Sequence, residues 1–82
     1  MSHIIKMVEK FFNNPASIKY TDLKTMLLYF GFKKIPVKGS HVKFKHPQLL
    51  RDLIIPVHKN ECKDFYKKQA KKQIEKIRNK SD

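Results

Sequence analysis

The stretch Val37-Lys38-Gly39-Ser40-His41-Val42-Lys43-Phe44-Lys45-His46-Pro47 limits this chain most. A glycine-centred turn leads into a run in which apolar and polar residues alternate. Period-2 alternation sends neighbouring side chains to opposite faces of a sheet. Val42 and Phe44 therefore point to a side that the rest of the chain must cover, and His41, Lys43 and Lys45 point away from it. An amphipathic strand needs only polar residues on its open side. Here that side holds an imidazole in a row of ammonium groups, which makes His41 a candidate for chemistry as well as for solubility.

The flanking segments supply the cover. Ile4, Ile5, Val8, Phe11 and Phe12 recur at helical spacing, and Asn14-Pro15 ends the run, so the spacing predicts a first helix over 3–13. Thr21 and Asp22 are expected to cap a second helix, whose Leu23, Met26, Leu27 and Phe30 form one stripe, with Gly31 as its C′ residue. Residues 32–37 read as a first strand, which Pro36 either keeps to an edge or enters with its ring facing outward. A third strand is expected over 51–57. A last helix is expected from Asn60 to about Arg78, with Tyr66, Ala70, Ile74 and Ile77 inward and Lys63, Lys67, Lys68, Lys71, Lys72 and Lys76 outward.

A two-residue turn at Lys38-Gly39 pairs Val37 with Ser40 and Ile35 with Val42, which gathers Lys34, His41, Lys43 and Lys45 on the open face. A three-residue turn instead sets Val37 beside His41. The two-residue register is the working expectation. The order helix, helix, three antiparallel strands, helix makes an α+β fold with helices on one face of the sheet. Leu23, Leu27, Phe30, Val42, Phe44, Ile55 and Ile74 are the expected core.

Eighty-two residues are expected to form one domain, 1–82, burying only about 60% of the unfolded surface. The formal net charge of +12 calls for a polyanionic partner, and a nucleic acid is the simplest; an anionic membrane or an acidic protein are rivals. Of the 19 basic residues only Arg51 and Arg78 are arginines. Lysines hold phosphates as point charges and rarely read base edges, so the composition favours backbone binding. Cys62 is the single cysteine, which rules out an internal disulfide and a cysteine-based metal site. No run is long and apolar enough to span a membrane, and the first residues lack a signal-peptide pattern, so a cytoplasmic location is expected.

The blocks Tyr20-Thr21-Asp22-Leu23, Leu28-Tyr29-Phe30-Gly31-Phe32, Lys38-Gly39-Ser40-His41, His46-Pro47 and Ile55-Pro56-Val57-His58, followed by a lysine-rich helix, resemble the HicA-type toxins of bacterial and archaeal toxin–antitoxin pairs. The resemblance covers about residues 18–78. It implies a double-stranded-RNA-binding-like fold, ribosome-independent cleavage of mRNA, a HicB-type antitoxin partner, and a catalytic role for His41. Many relatives carry a second histidine or an aromatic where Val42 stands, and the helix over 3–13 lies outside the usual short form.

The residues themselves bear on the same chemistry. Histidine exchanges a proton near neutral pH. RNA carries its own nucleophile, the 2′-OH; cleavage needs a group to take its proton and positive charge at the phosphate. His41 suits either acid or base work. Lys34, Lys38, Lys43 and Lys45 are the candidate phosphate holders. His58 is a second acid–base group if the third strand lies beside the second, and otherwise a loop residue; His46 shares parity with Val42 and Phe44 and is expected to be half-buried. Three dispersed histidines without a carboxylate pattern argue against a metal site, and no cofactor is expected. Three functions stay open on the residues alone: a metal-independent endoribonuclease, a non-catalytic RNA-binding module of the same fold, and a basic domain that docks on an acidic protein or membrane.

Overall fold

The computed structural model describes residues 3–80. In chain order they form α1 (His3–Asn13), a 3-10 turn (Pro15–Ser17), α2 (Tyr20–Tyr29), β1 (Lys33–Pro36), β2 (His41–Lys45), β3 (Leu53–Pro56) and α3 (Asp64–Lys80). The strands make one antiparallel sheet in the order β1-β2-β3, as the α-α-β-β-β-α reading expects. Among the described residues no helix is long and apolar enough to cross a membrane.

The period-3.6 stripes close on one face of the sheet. Phe11 of α1, Leu23, Met26 and Leu27 of α2, and Ala70, Ile74 and Ile77 of α3 pack with Phe44, Leu53 and Ile55 from the strands. Phe30 and Val42 are half-buried against this core. On α1 the deepest residues are Met7 and Phe11, while Ile5 is exposed. Phe12 is covered by cations from α3: the Arg78 guanidinium lies 5.1 Å and the Lys71 ammonium 5.9 Å from its ring centre.

The end of α2 is fixed by glycine. Gly31 has φ +97°, its N–H donates to the Leu28 carbonyl at 3.1 Å, and the Phe32 N–H donates to the Leu27 carbonyl at 2.9 Å. This is the Schellman pattern, with the hydrophobic pair Leu27–Phe32 buried beneath it. At the other end α2 starts one residue earlier than Thr21: Lys19 is the N-cap and supplies no side-chain bond, and Asp22 sits in the first turn, where its charge favours the helix dipole.

Two turns differ from the sequence expectation. The β1–β2 register is Lys33↔Lys45, Lys34↔Phe44, Ile35↔Lys43 and Pro36↔Val42, so Lys38-Gly39-Ser40 is a three-residue loop. The two-residue turn would have put Lys38 at positive φ. The longer loop leaves that conformation to Gly39 alone, at φ +75°. Every β1 side chain is thereby on the face opposite to the expected one. Ile35 joins Lys43 on the open face, and Lys34 shares the helix-covered side with Phe44, at the sheet edge.

The second difference is the start of α3. Lys59 and Asn60 have φ 50° and 62°, and His58 and Glu61 exchange both backbone bonds at 2.9 Å. Residues 58–61 are thus a tight primed turn, and the helix begins at Asp64 instead of Asn60. Asparagine is as well suited to the left-handed region as to an N-cap, and here it is used for the former. Asn79 and Lys80 continue the helix.

Lys67, expected on the outer side of α3, is 9% exposed. Its ammonium lies 3.5 Å from the Ala16 carbonyl and 3.8 Å from Asp64, tying the helix to the 3-10 turn.

Candidate active site

His41 is the first residue of β2, set directly after the Lys38-Gly39-Ser40 loop and opposite Pro56 of β3. Its side chain is exposed. β3 pairs with its backbone on one side, and the Val57 N–H donates to the Ser40 carbonyl at 2.7 Å. The imidazole thus stands on a fixed rim and opens no gap in the core when changed.

The open face around β2 carries Lys33, Lys43 and Lys45, mixed with Ile35 and the 48%-exposed Ile54. Lys43 is partly neutralised by the Asp52 carboxylate at 3.7 Å. Lys45 stands exposed across from Lys33, a like-charge pair with no carboxylate between them. Lys38 is exposed on the hairpin loop.

On the other side of the rim lies a shallow cleft of about 410 Å³. Ser40 and His41 form part of its wall, with Gly39, Val42 and Val57. Three lysines line it from three separate elements: Lys24 from α2, Lys34 from β1 and Lys59 from the 58–61 turn. The structure therefore brings Lys34 to His41, but through this cleft and not along the open face with Lys43 and Lys45. Lys24 and Lys59 escape a reading of the strand pattern, because nothing in the alternation of β2 refers to α2 or to the turn after β3.

The histidines separate by environment. His58 lies in the turn beside β2, with its Nε2 at 3.5 Å from the Ser40 hydroxyl, a long and weak contact. His46 is 6% exposed on the core side. With hydrogen on Nε2, it donates to the Phe30 carbonyl at 3.0 Å, and its Nδ1 accepts from the Gln48 N–H at 3.1 Å. Phe32 packs on the same ring at 4.9 Å. Its bonds are spent on holding the end of β2 to the end of α2.

Burial, countered in part by Lys67 and reinforced by Asp64, pushes the Cys62 thiol above its ordinary range, which leaves it a poor nucleophile at neutral pH. Burial first, and the nearby Cys62 second, also push the Tyr20 hydroxyl up. Among the described residues no three His, Cys, Asp or Glu side chains converge as metal ligands would.

A sheet with helices on one face, in the order α2-β1-β2-β3-α3, is the build of a double-stranded-RNA-binding-like domain, here preceded by α1. The family model described as the HicA toxin of bacterial toxin–antitoxin systems matches residues 20–75. The chain belongs to this family and is a toxin of a toxin–antitoxin system. Neither the comparison with curated proteins nor that with solved structures returns a match. The matched segment contains His41, His58 and every lysine of the cleft; α1 lies before it.

Proposed function

We propose that this toxin is a metal-independent endoribonuclease that cleaves mRNA, with His41 as its general acid–base group. The observation that supports it best is the placing of an exposed histidine on the rim of a lysine-lined cleft, inside the segment that matches the family. His41 takes the proton of a ribose 2′-OH as the O2′–P bond forms. The P–O5′ bond breaks, and the leaving oxygen takes a proton from solvent, which the open rim admits. The products are a 2′,3′-cyclic phosphate end and a 5′-hydroxyl end. Lys34, Lys38, Lys43 and Lys45 hold the phosphates and offset the charge that builds on the reacting one. A HicB-type antitoxin in the same cytoplasm is the protein partner.

The test compares purified wild type with His41→Ala on a long single-stranded RNA in the presence of a chelator. A positioned acid–base group supplies about 10²–10⁴-fold, so the variant is expected to lose that much rate while keeping its melting transition. Equal cleavage by the two proteins rejects His41 as the catalyst. RNA that binds but is not cut by wild type favours a non-catalytic module. Cleavage that disappears in chelator points to a metal. A variant that loses its melt along with its activity shows His41 to be structural.

A further inference from the structure

The electrostatics of the surface distinguish the cleft beside His41 from its neighbours. Four other concavities are each lined by at least one carboxylate: Glu9 between α1 and α2, Glu61 and Asp64 beside Cys62, Glu61 beneath the 58–61 turn, and Asp52 along β3. The His41 cleft has none. Lys24, Lys34 and Lys59, which line it, form no ion pair among the described residues, whereas Lys43 on the open face has Asp52 at 3.7 Å. Three lysines without an ion pair, from α2, β1 and the 58–61 turn, line one concave, hydroxyl-bearing wall. Such a set has the charge and the donors to hold a phosphodiester.

We propose that Lys24 and Lys59 extend the reach of Lys34 into a second phosphate-holding subsite, for single-stranded RNA flanking the bond presented to His41. This rests on the reading of the chain as RNA-cleaving. Parity across the sheet gives the subsite its meaning. Lys34 is on the helix side of β1, while Lys43 and Lys45 are on the open face of β2, and His41 stands on the rim between the two groups. An RNA strand held at both places crosses the rim in a bend. Attack by the 2′-OH requires O2′, phosphorus and O5′ to come into line, and a bent, unstacked backbone permits this where a stacked one does not. The cleft lysines thereby raise local affinity and position the reacting phosphate, while His41 carries out the proton transfer.

The experiment uses full-length protein carrying His41→Ala, so that RNA is bound without being consumed, and measures affinity for a single-stranded oligoribonucleotide against salt. Each phosphate neutralised on a single strand contributes about 0.7 to the log–log slope. The Lys24→Gln/Lys34→Gln/Lys59→Gln variant is expected to flatten the slope by about 2, and each single change by about 0.7. A control with the same loss of charge, Lys6→Gln/Lys10→Gln/Lys72→Gln, removes exposed lysines that do not line the cleft and is expected to leave the slope nearly unchanged. Melting of each variant checks the fold, and the single variants keep the answer available if the triple one unfolds. A slope unmoved by the cleft changes, or moved equally by the control, overturns the subsite. No salt-dependent RNA binding at all overturns both the subsite and the cleavage reading. The expected cleft slope, together with a wild type that does not cut RNA, overturns the cleavage reading and leaves the subsite standing.

Discussion

Replacing Gly31 by alanine tests the contact that joins α2 to the sheet. Gly31 has φ +97°, and a Cβ built there lies 3.2 Å from Nε2 and 3.7 Å from Cδ2 of His46. An L-residue in the left-handed region costs about 1–2 kcal/mol. The shorter contact is tighter than ordinary packing, so the imidazole must give by a few tenths of an ångström. It is held where it is by the 3.0 Å bond to the Phe30 carbonyl and by the Phe32 ring. Weakening that bond in a site only 6% exposed approaches the cost of an unsatisfied buried donor, about 1–3 kcal/mol. The two effects together predict a loss of about 2–5 kcal/mol. The whole stability of a chain of 82 residues is about 4–12 kcal/mol at the usual 0.05–0.15 per residue, so the change is large. Urea unfolding of wild type, Gly31→Ala, His46→Ala and the double variant separates the parts. Without the imidazole only the backbone strain remains, so alanine at position 31 is expected to cost about 1–2 kcal/mol in the His46→Ala background. Additivity within about 0.5 kcal/mol refutes the seating of His46 against Gly31. A His46→Ala protein that melts like wild type yet cannot cleave RNA refutes the structural assignment of His46.

Phe44 of β2 is fully buried, so Phe44→Ala is expected to cost about 3–5 kcal/mol in the same assay; a loss under about 1 kcal/mol contradicts its place in the core. The Tyr20 hydroxyl is buried without a hydrogen-bond partner among the described residues, and Tyr20→Phe is therefore expected to raise stability at neutral pH by about 1 kcal/mol, with a drop in Tm as the contrary result. Tyr20 and Cys62 both have folded values raised above their ordinary ones, chiefly by burial, so each contributes stability that is present at neutral pH and lost as pH rises through the raised value. The Tm of wild type is expected to fall above about pH 9, and less steeply in a Tyr20→Phe/Cys62→Ala variant; identical pH profiles reject the linkage. Because Asp52 partly neutralises Lys43, Lys45→Ala is expected to flatten the RNA salt slope by about 0.7 and Lys43→Ala by less, while Asp52→Asn steepens it; the reverse order removes the Lys43–Asp52 pair from the RNA surface.

Elements with long, consistent periods are readable in this sequence, and elements decided by one residue are not. The stripes of α2 and α3, the alternation of β2 and the apolar run of β3 lead directly to Leu23, Leu27, Phe44, Ile55 and Ile74, all fully buried. On α1 the run of Ile4, Ile5, Val8, Phe11 and Phe12 offers two overlapping stripes, and the fold takes the one centred on Met7 and Phe11. Lys67 misleads through its charge, since its ammonium is turned to the Ala16 carbonyl and Asp64 instead of to solvent. Asn60 misleads by its versatility, serving a primed turn in place of a cap. His41 is legible as a candidate because an imidazole on the polar side of an amphipathic strand is uncommon. Its companions Lys24 and Lys59 are not, because only the packed fold brings α2 and the 58–61 turn to the same cleft.

The length of one hairpin loop decides what surrounds His41. With a two-residue turn, Lys34 would stand on the open face beside His41, Lys43 and Lys45, and all the charge of the site would lie on one plane. The observed three-residue loop, with Gly39 alone at positive φ, moves β1 by one residue relative to β2. Ile35 and Val37 are carried onto the open face, which becomes half apolar, with Val37 37% and Ile54 48% exposed there. Lys34 is carried to the edge of the helix side, where Lys24 and Lys59 already stand. The same slip leaves His41 facing outward, because β2 keeps its own parity whichever register β1 adopts. One glycine conformation thus parts Lys34 from Lys43 and Lys45 and gathers it with the other cleft lysines. His41 stays exposed on a strand end, and three lysines without an ion pair among the described residues line a concave site next to it instead of the mixed apolar face. A substitution at Gly39 that forces a shorter turn would flip β1 and take Lys34 out of the cleft without touching His41, and its effect would therefore fall on RNA affinity before it fell on the proton transfer.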